Sequence, residues 1–437
     1  MSGLGGVRAP HFKNTASLVP EVIPVPAEVK LPMSMHSGTP ANPVVSVGDY
    51  VKVGQLIGEA NGFVSSPVHA SVSGTIKAID YLDNLTGEKT TTVTITSDGK
   101  QTPWEGISPP SVTNLNEFLE AVRNSGVVGL GGAGYPTAPK FTLKESVKLD
   151  YILVNGAECE PYITSDTRTM LDDTENVWEG VLLMKEYLKP KNIVICIEDN
   201  KRQAIQKFKK LCEDKEGISV RALPSLYPQG ERKILVYNVT GRIVPEGGRL
   251  PDVGCIVVNC TTVAVFAKYI KTGFPLVSRC VTIDGPAVKK PKNVSAPIGT
   301  PVRNLLEHCG LFSDGKLNAN IKKVTLGGPM MGVAIPDMDI PIVKITNSIL
   351  AFCAKTAVPP EPSACIKCGR CVINCPMNLM PPNIEEAYEL KKHDLLKYYK
   401  VDMCAECSCC AFTCPSKRPL VQVMILAKDM LWRQKNG

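Results

Sequence analysis

The spacing of apolar residues changes three times along this chain. Over residues 25–100, short apolar runs are broken by turn residues. They read Val44-Val45-Ser46-Val47-Gly48-Asp49-Tyr50-Val51, then Gly54-Gln55-Leu56-Ile57-Gly58, then Ala70-Ser71-Val72-Ser73-Gly74-Thr75-Ile76. Such runs predict short β-strands. From about residue 115 the period lengthens. Residues 115–124 and 175–188 predict helices, while 151–155, 192–197 and 255–258 predict apolar strands. Strands alternating with helices imply an α/β layer. Residues 275–335 return to short strands, with turns at Gly285-Pro286 and Gly327-Gly328-Pro329 and one helix over 302–308. A proline-rich hinge, Val358-Pro359-Pro360-Glu361-Pro362, precedes a last region with helices predicted over 383–399 and 420–432. The expectation is an α/β multidomain chain with parts at 1–110, 111–274, 275–345 and 346–437.

The last part carries the strongest chemical signal. Cys365, Cys368, Cys371 and Cys375 precede Pro376; Cys404, Cys407, Cys410 and Cys414 precede Pro415. Both copies read C-x₂-C-x₂-C-x₃-C-P, the run that holds 4Fe–4S clusters in bacterial ferredoxins. A cubane needs four thiolates from different directions. Proline stops regular continuation, so the fourth thiolate can turn to the neighbouring cluster. The expected sets are therefore Cys365, Cys368, Cys371 and Cys414 for one cluster, and Cys404, Cys407, Cys410 and Cys375 for the other. Structural zinc favours separated ligand pairs instead. The remaining cysteines, Cys409 among them, read as small buried hydrophobes.

At 437 residues the chain has room for about three domains. Seventeen cysteines without an apolar leader at Met1–Gly6 predict an intracellular chain and no secreted disulfide framework. The apolar stretch 255–270 is too short and too interrupted to span a bilayer, so any spans must come from other subunits. A net charge of +7 counts cysteines as neutral. Two loaded clusters at about −2 each would offset more than half of it, and no nucleic-acid partner follows. The five histidines are dispersed and form no ligand set.

Two segments suggest a nucleotide site. Gly129-Leu130-Gly131-Gly132-Ala133-Gly134 offers backbone N–H groups that can converge on a phosphate, with Lys140 just beyond. Asn155-Gly156-Ala157-Glu158-Cys159-Glu160-Pro161 begins where an apolar strand ends, the place where α/β folds bind ligands.

Residues 44–76 resemble the biotinyl/lipoyl type of barrel-sandwich hybrid. Gly62 stands where carriers of that family hold their acceptor lysine, so the resemblance implies a docking module. "GLGGAGYPT…K", "VNGAECEPY" and "YPQGE" resemble motifs of the flavin subunit of respiratory complex I and, more closely, of the RnfC family of the Rnf complex. The likeness also includes Gly5-Gly6-Val7, "GTPVRNLLE", "GGPMMG" and "CPSKRPLVQ". It implies four parts: a barrel-sandwich hybrid, a Rossmann-like FMN/NAD-binding domain, a soluble-ligand-binding (SLBB-like) β-grasp domain and a helical two-cluster ferredoxin domain.

By that resemblance, Gly129, Gly131, Gly132, Ala133, Gly134 and Lys140 hold the FMN phosphate, and Asn155 hydrogen-bonds the isoalloxazine. Glu160 lies near the nicotinamide with Glu158 as its acidic neighbour. Tyr227, Gly230 and Glu231 line the cleft, and Asn259 stands on the far side of the flavin. Ala157 and Arg232 depart from the family's acids at those positions, which weakens the expected dinucleotide contacts. The implied activity is electron exchange between NAD(H), FMN and two 4Fe–4S clusters. Its implied setting is the cytoplasmic face of a membrane ferredoxin:NAD oxidoreductase, with ferredoxin an indirect partner. A soluble reductase of the same family, resembling cobalamin reductase or the electron carrier of proline reductase, would keep the chemistry and change the company. A flavin-free wiring scaffold would keep only the clusters.

Overall fold

The computed structural model describes residues 5–83 and 87–436; Met1–Leu4 of the opening segment lie outside them. Two antiparallel sheets form the barrel-sandwich part. One orders Glu28–Pro32, Lys89–Ser97, Gly74–Asp83 and Tyr50–Val51; the other orders Asn42–Pro43, Leu56–Glu59 and Val68–His69. Val44–Val47 is not a strand: Asn42–Pro43 pairs with Leu56–Glu59, Val44 N makes one more bond to Ile57 O at 3.0 Å, and regular pairing resumes only at Tyr50. The hairpin tip at Gly62 is pinned to the helix Leu115–Asn124, where Arg123 donates to the carbonyls of Gly62 and Phe63 at 3.3 and 3.4 Å.

The α/β layer is a four-stranded parallel sheet in the order Ile218–Leu223, Asn192–Glu198, Tyr151–Gly156, Cys255–Asn259. Apart from the edge strand Ile218–Leu223, the strands are near-continuous apolar runs because helices cover both faces. Strand order steps outward through the first three and then returns to the other side of Tyr151–Gly156. That reversal opens a crevice at the carboxyl ends of Tyr151–Gly156 and Cys255–Asn259. The stretch 255–270 divides into the last strand and the helix Cys260–Thr272. One core runs from Val29 and Leu31 of the barrel part to Ile152 and Val258 of this layer.

The third part is a six-stranded sheet packed on the helix Val302–His308. Two of its strands lie outside residues 275–345: Glu21–Val22 at one edge, and Ser348–Cys353 between two central strands. Neither carries a period-2 signal: one is two residues long, the other continuously apolar because it is covered on both faces. The cluster part is helical. The helix predicted over 383–399 is two, Pro381–Glu389 and His393–Tyr398, broken where Lys391 takes φ 54°. The last helix is Leu420–Asn436. Among the described residues, no helix is long and apolar enough to cross a membrane.

Candidate functional site

Asn155 and Asn259 are register partners at the ends of adjacent parallel strands, on the two sides of the crevice. Asn155 Nδ2 donates to Gly230 O at 2.9 Å, and its Oδ1 accepts from Ala157 N at 3.1 Å. Asn259 caps the helix Cys260–Thr272 by accepting from Thr262 N at 3.1 Å, and donates to Asp166 Oδ2 at 2.7 Å. The glycine loop lies over this second side. Leu130 N reaches Thr262 Oγ1 at 3.0 Å, and a Cβ on Gly131 would sit 3.2 Å from Asn259 Nδ2. Gly132 takes φ +120°, a torsion L side chains avoid, with open space around its absent Cβ.

Lys140 follows on the short helix Thr137–Phe141. Its ammonium donates to Val257 O at 3.3 Å, and among the described residues no carboxylate pairs with it. Burial, with Arg232 nearby, pulls it down to about 8. A half-buried cation without an anion, 3.7 Å from where Gly129 would carry a Cβ, suits a phosphate. Tyr227 Oη and Gln229 Nε2, on the opposite loop, are buried without a hydrogen-bond partner. These observations fit a bound flavin mononucleotide.

The three expected acidic residues are all engaged by backbone donors. Glu158 accepts from Asp166 N and Thr167 N at 2.7 and 3.3 Å and from Thr167 Oγ1 at 2.5 Å, so it caps the helix Ser165–Asp172. Glu231 caps Arg232–Thr240 through Lys233 N and Ile234 N at 2.7 and 2.9 Å. Glu160 reaches the β-grasp sheet, where Met330 N and Met331 N donate to its two oxygens at 3.1 and 2.9 Å. A Cβ on Gly328 would come within 2.2 Å of Glu160 Oε2, so only glycine allows this clasp. Burial pushes Glu160 up to about 7 against the pull of those donors. Glu158 is also pushed up by burial, opposed by Lys13.

Sequence reasoning missed Lys13. Its ammonium donates to the carbonyls of Glu158, Glu160 and Ile163 at 2.8, 2.8 and 2.7 Å and so shapes the loop that carries both acids. Asp166 was missed too; it joins Asn259 and Thr261 to the Ser165–Asp172 helix. Neither lies in a motif, and both act across long sequence separations.

In the cluster part, Cys375, Cys404, Cys407 and Cys410 line one small enclosed cavity, closed by Pro376, Leu379, Val421 and Met424. Cys371 and Cys414 pack together in a neighbouring group, while Cys365 and Cys368 are exposed. Cys409 also lines this cavity, and its thiol donates to Tyr227 O at 3.8 Å. The two copies repeat in the backbone. Lys367 and Glu406 have φ 55° and 55°, Gly369 and Ser408 73° and 63°, and Asn378 and Lys417 54° and 54°. Each pair is 39 residues apart (367 to 406, 369 to 408, 378 to 417). Backbone N–H groups already point at sulfur: Leu379 N to Cys375 Sγ at 3.3 Å, and Glu406 N to Cys404 Sγ at 3.4 Å. Among the described residues, no three His, Cys, Asp or Glu side chains gather closely enough for a single metal ion. A cubane spreads its thiolates over its corners, whereas one zinc ion draws four ligands tightly together. The cavity, with Cys375 crossing over from the first copy, brings together the four thiols expected to hold one cluster.

A parallel half-sheet with a glycine loop over its switch point defines a nucleotide-binding redox module. Residues 122–268 match the Nuo51 FMN-binding domain, residues 2–100 the RnfC barrel sandwich hybrid domain and residues 280–334 the SLBB domain. The RnfC-type member of the Na(+)-translocating ferredoxin:NAD(+) oxidoreductase complex of Acetobacterium woodii is 40% identical over 386 residues, covering 87% of this chain and 86% of that one. Its counterpart in the proton-translocating ferredoxin:NAD(+) oxidoreductase complex of Clostridium ljungdahlii is 39% identical over 383 residues, covering 86% and 82%. The chain belongs to this RnfC family. An NAD+-reducing [NiFe]-hydrogenase chain shares the fold at a TM-score of 0.51 and 14% identity; the match covers 74% of this chain and 62% of that one, less than two thirds of its length.

Proposed function

We propose that this chain exchanges electrons between NAD(H), FMN and two 4Fe–4S clusters as a peripheral subunit of a membrane-associated ferredoxin:NAD oxidoreductase, on the cytoplasmic face. The observation that carries the reading is the crevice between Asn155 and Asn259, with the glycine loop and Lys140 over it, in one fold with the thiol-lined cavity. Bound FMN supplies the step between a hydride's two electrons and the single electrons of clusters.

The chain's own residues position the cofactors. Gly129, Gly131, Gly132, Ala133 and Gly134 keep side chains away from the phosphate, and Lys140 neutralises it. Asn155 and Gly230, tied to each other, fix one wall of the flavin cleft. Asn259 fixes the other wall. Tyr227 and Gln229 offer unpaired polar groups to the dinucleotide. Glu160 holds negative charge beside the nicotinamide, while Glu158, Glu231 and Lys13 hold the loops in place. The clusters take Cys365, Cys368, Cys371 and Cys414, and Cys404, Cys407, Cys410 and Cys375.

The test is an anaerobic preparation reconstituted with iron, sulfide and FMN and followed by visible spectroscopy on adding NADH. Flavin bleaching followed by cluster reduction is expected. A stoichiometric flavin that NADH leaves oxidised sinks the proposal.

A further inference from the structure

The repeat in the cluster part is symmetric in backbone and asymmetric in cover. In the second copy, Cys407 and Cys410 are buried and Cys404 is half-buried. Cys407 and Cys409 pack on Val7 and Tyr227, with Met330 against them. Ser408 Oγ donates to Met330 O at 2.6 Å, and Lys428 donates to Cys404 O at 2.9 Å and pairs with Glu406. The flavin layer and the β-grasp loop therefore roof this copy. Among the described residues, the first copy is met by the opening segment only at its end, where Gly6 N donates to Asn374 O at 3.0 Å, and its loop from Cys365 to Cys368 has no such roof. Every residue from Val358 to Cys368 is exposed, Cys365 and Cys368 included. Ile366 is 66% exposed where its repeat mate is half-buried Ala405, and Ile373 is 75% exposed. Lys367 and Arg370 flank these isoleucines, and no acidic residue lies between Glu361 and Glu385.

We infer that the set Cys404, Cys407, Cys410 and Cys375 is the flavin-side station of the relay, and Cys365, Cys368, Cys371 and Cys414 the outer one. The bare surface of Ile366, Lys367, Arg370 and Ile373 then docks an acidic protein that carries a one-electron group. The inference rests on the functional reading above. Each transfer moves one electron: the donor station is oxidised by one and the acceptor reduced by one. NADH supplies two through the flavin, and the docked protein takes them singly, or the sequence runs in reverse. Protein is favoured over lipid because the twin loop is covered by protein, and because an electron station needs a redox group across the interface. Basic charge around an apolar centre selects an acidic partner.

The test uses the full reconstituted chain, freeze-quench electron paramagnetic resonance, and an acidic ferredoxin as the one-electron protein. With Cys365→Ala, the resonance signal of the remaining cluster should still appear on adding NADH while exchange with ferredoxin falls roughly tenfold or more. With Cys407→Ala, NADH should bleach the flavin but leave the remaining cluster oxidised, although reduced ferredoxin still reduces it. NADH reducing that cluster at the wild-type rate overturns the order. A wild-type flavin that never bleaches fails the functional reading instead. The order is then read from the ferredoxin side, where Cys365→Ala must block reduction of its remaining cluster.

Should either alanine variant fail to fold, Lys367→Glu with Arg370→Glu keeps both cluster signals and NADH:ferricyanide turnover. Ferredoxin exchange at low ionic strength should then drop roughly tenfold. An unchanged exchange rate overturns the docking surface. So does wild-type chain that binds phosphatidylglycerol vesicles through these two residues and does not bind ferredoxin.

Discussion

Lys140 is a cation held where water is scarce and, among the described residues, no carboxylate answers it, so its protonation should govern flavin affinity. The free ammonium titrates at about 8. Below that pH the phosphate meets a ready charge; above it, binding must draw a proton on, and affinity falls. Lys140→Ala should weaken FMN about tenfold to a hundredfold at pH 7, the worth of one charge-assisted hydrogen bond. It should also abolish the loss of affinity above pH 8; fluorescence titrations at pH 7 and 9 check both. Glu160, pushed up to about 7, works the other way. Ionised above that value, it favours the cationic nicotinamide of NAD+ over neutral NADH. The NAD+/NADH affinity ratio should rise about fivefold from pH 6 to 8, on the order of 1 kcal/mol. Binding isotherms for Glu160→Gln should be flat over that range.

Ser408 belongs to an element, the second cluster loop. A non-glycine residue at φ 63° costs about 1 kcal/mol, and the hydroxyl's bond to Met330 O returns a similar amount. Ser408→Ala keeps the strain and loses the bond, so it should lower stability by about 1 kcal/mol. Ser408→Gly, which matches Gly369 of the first copy, sheds both and should stay close to wild type. Urea unfolding of the cluster-loaded pair distinguishes these outcomes. Equal losses in both variants would show that the hydroxyl, and not the torsion, decides. The same loop links two parts of the fold: Ser408 holds Met330, and the N–H groups of Met330 and Met331 hold Glu160.

Across the whole molecule, Lys344 ties three parts together from full burial. Its ammonium donates to Ser66 Oγ, Pro67 O and Gly126 O at 3.2, 2.6 and 2.7 Å. Burial pulls it down to about 7 from 10.5. The native state therefore holds fewer protons than the unfolded chain between those values, and stability rises with pH across that window. Lys344→Met should remove this rise. It should also cost about 2 kcal/mol at pH 7 by stranding the buried carbonyl of Pro67, since Gly126 O keeps its bond from Ser66 Oγ. Urea midpoints at pH 7 and 9 for both chains check the sign and the size.

The spacing of the cysteines and the apolar strands of the α/β layer were legible by themselves. Ligand runs and strand periods are local, set by residues a few positions apart, and so was the glycine loop before Lys140. The barrel part was legible as a type but not in its strand limits, because Val44–Val47 carries the right residues yet leaves its partner strand after the bond from Val44 N to Ile57 O. Tertiary structure alone decided the state of the acids and bases. Glu160 meets a loop 170 residues away, Lys13 a loop 145 away and Lys344 a carbonyl 277 away. Burial of a charge is a property of what packs around it, and no local spacing encodes that. For the same reason, two cysteine runs identical in motif differ in cover: what roofs one and leaves the other bare comes from distant parts of the chain.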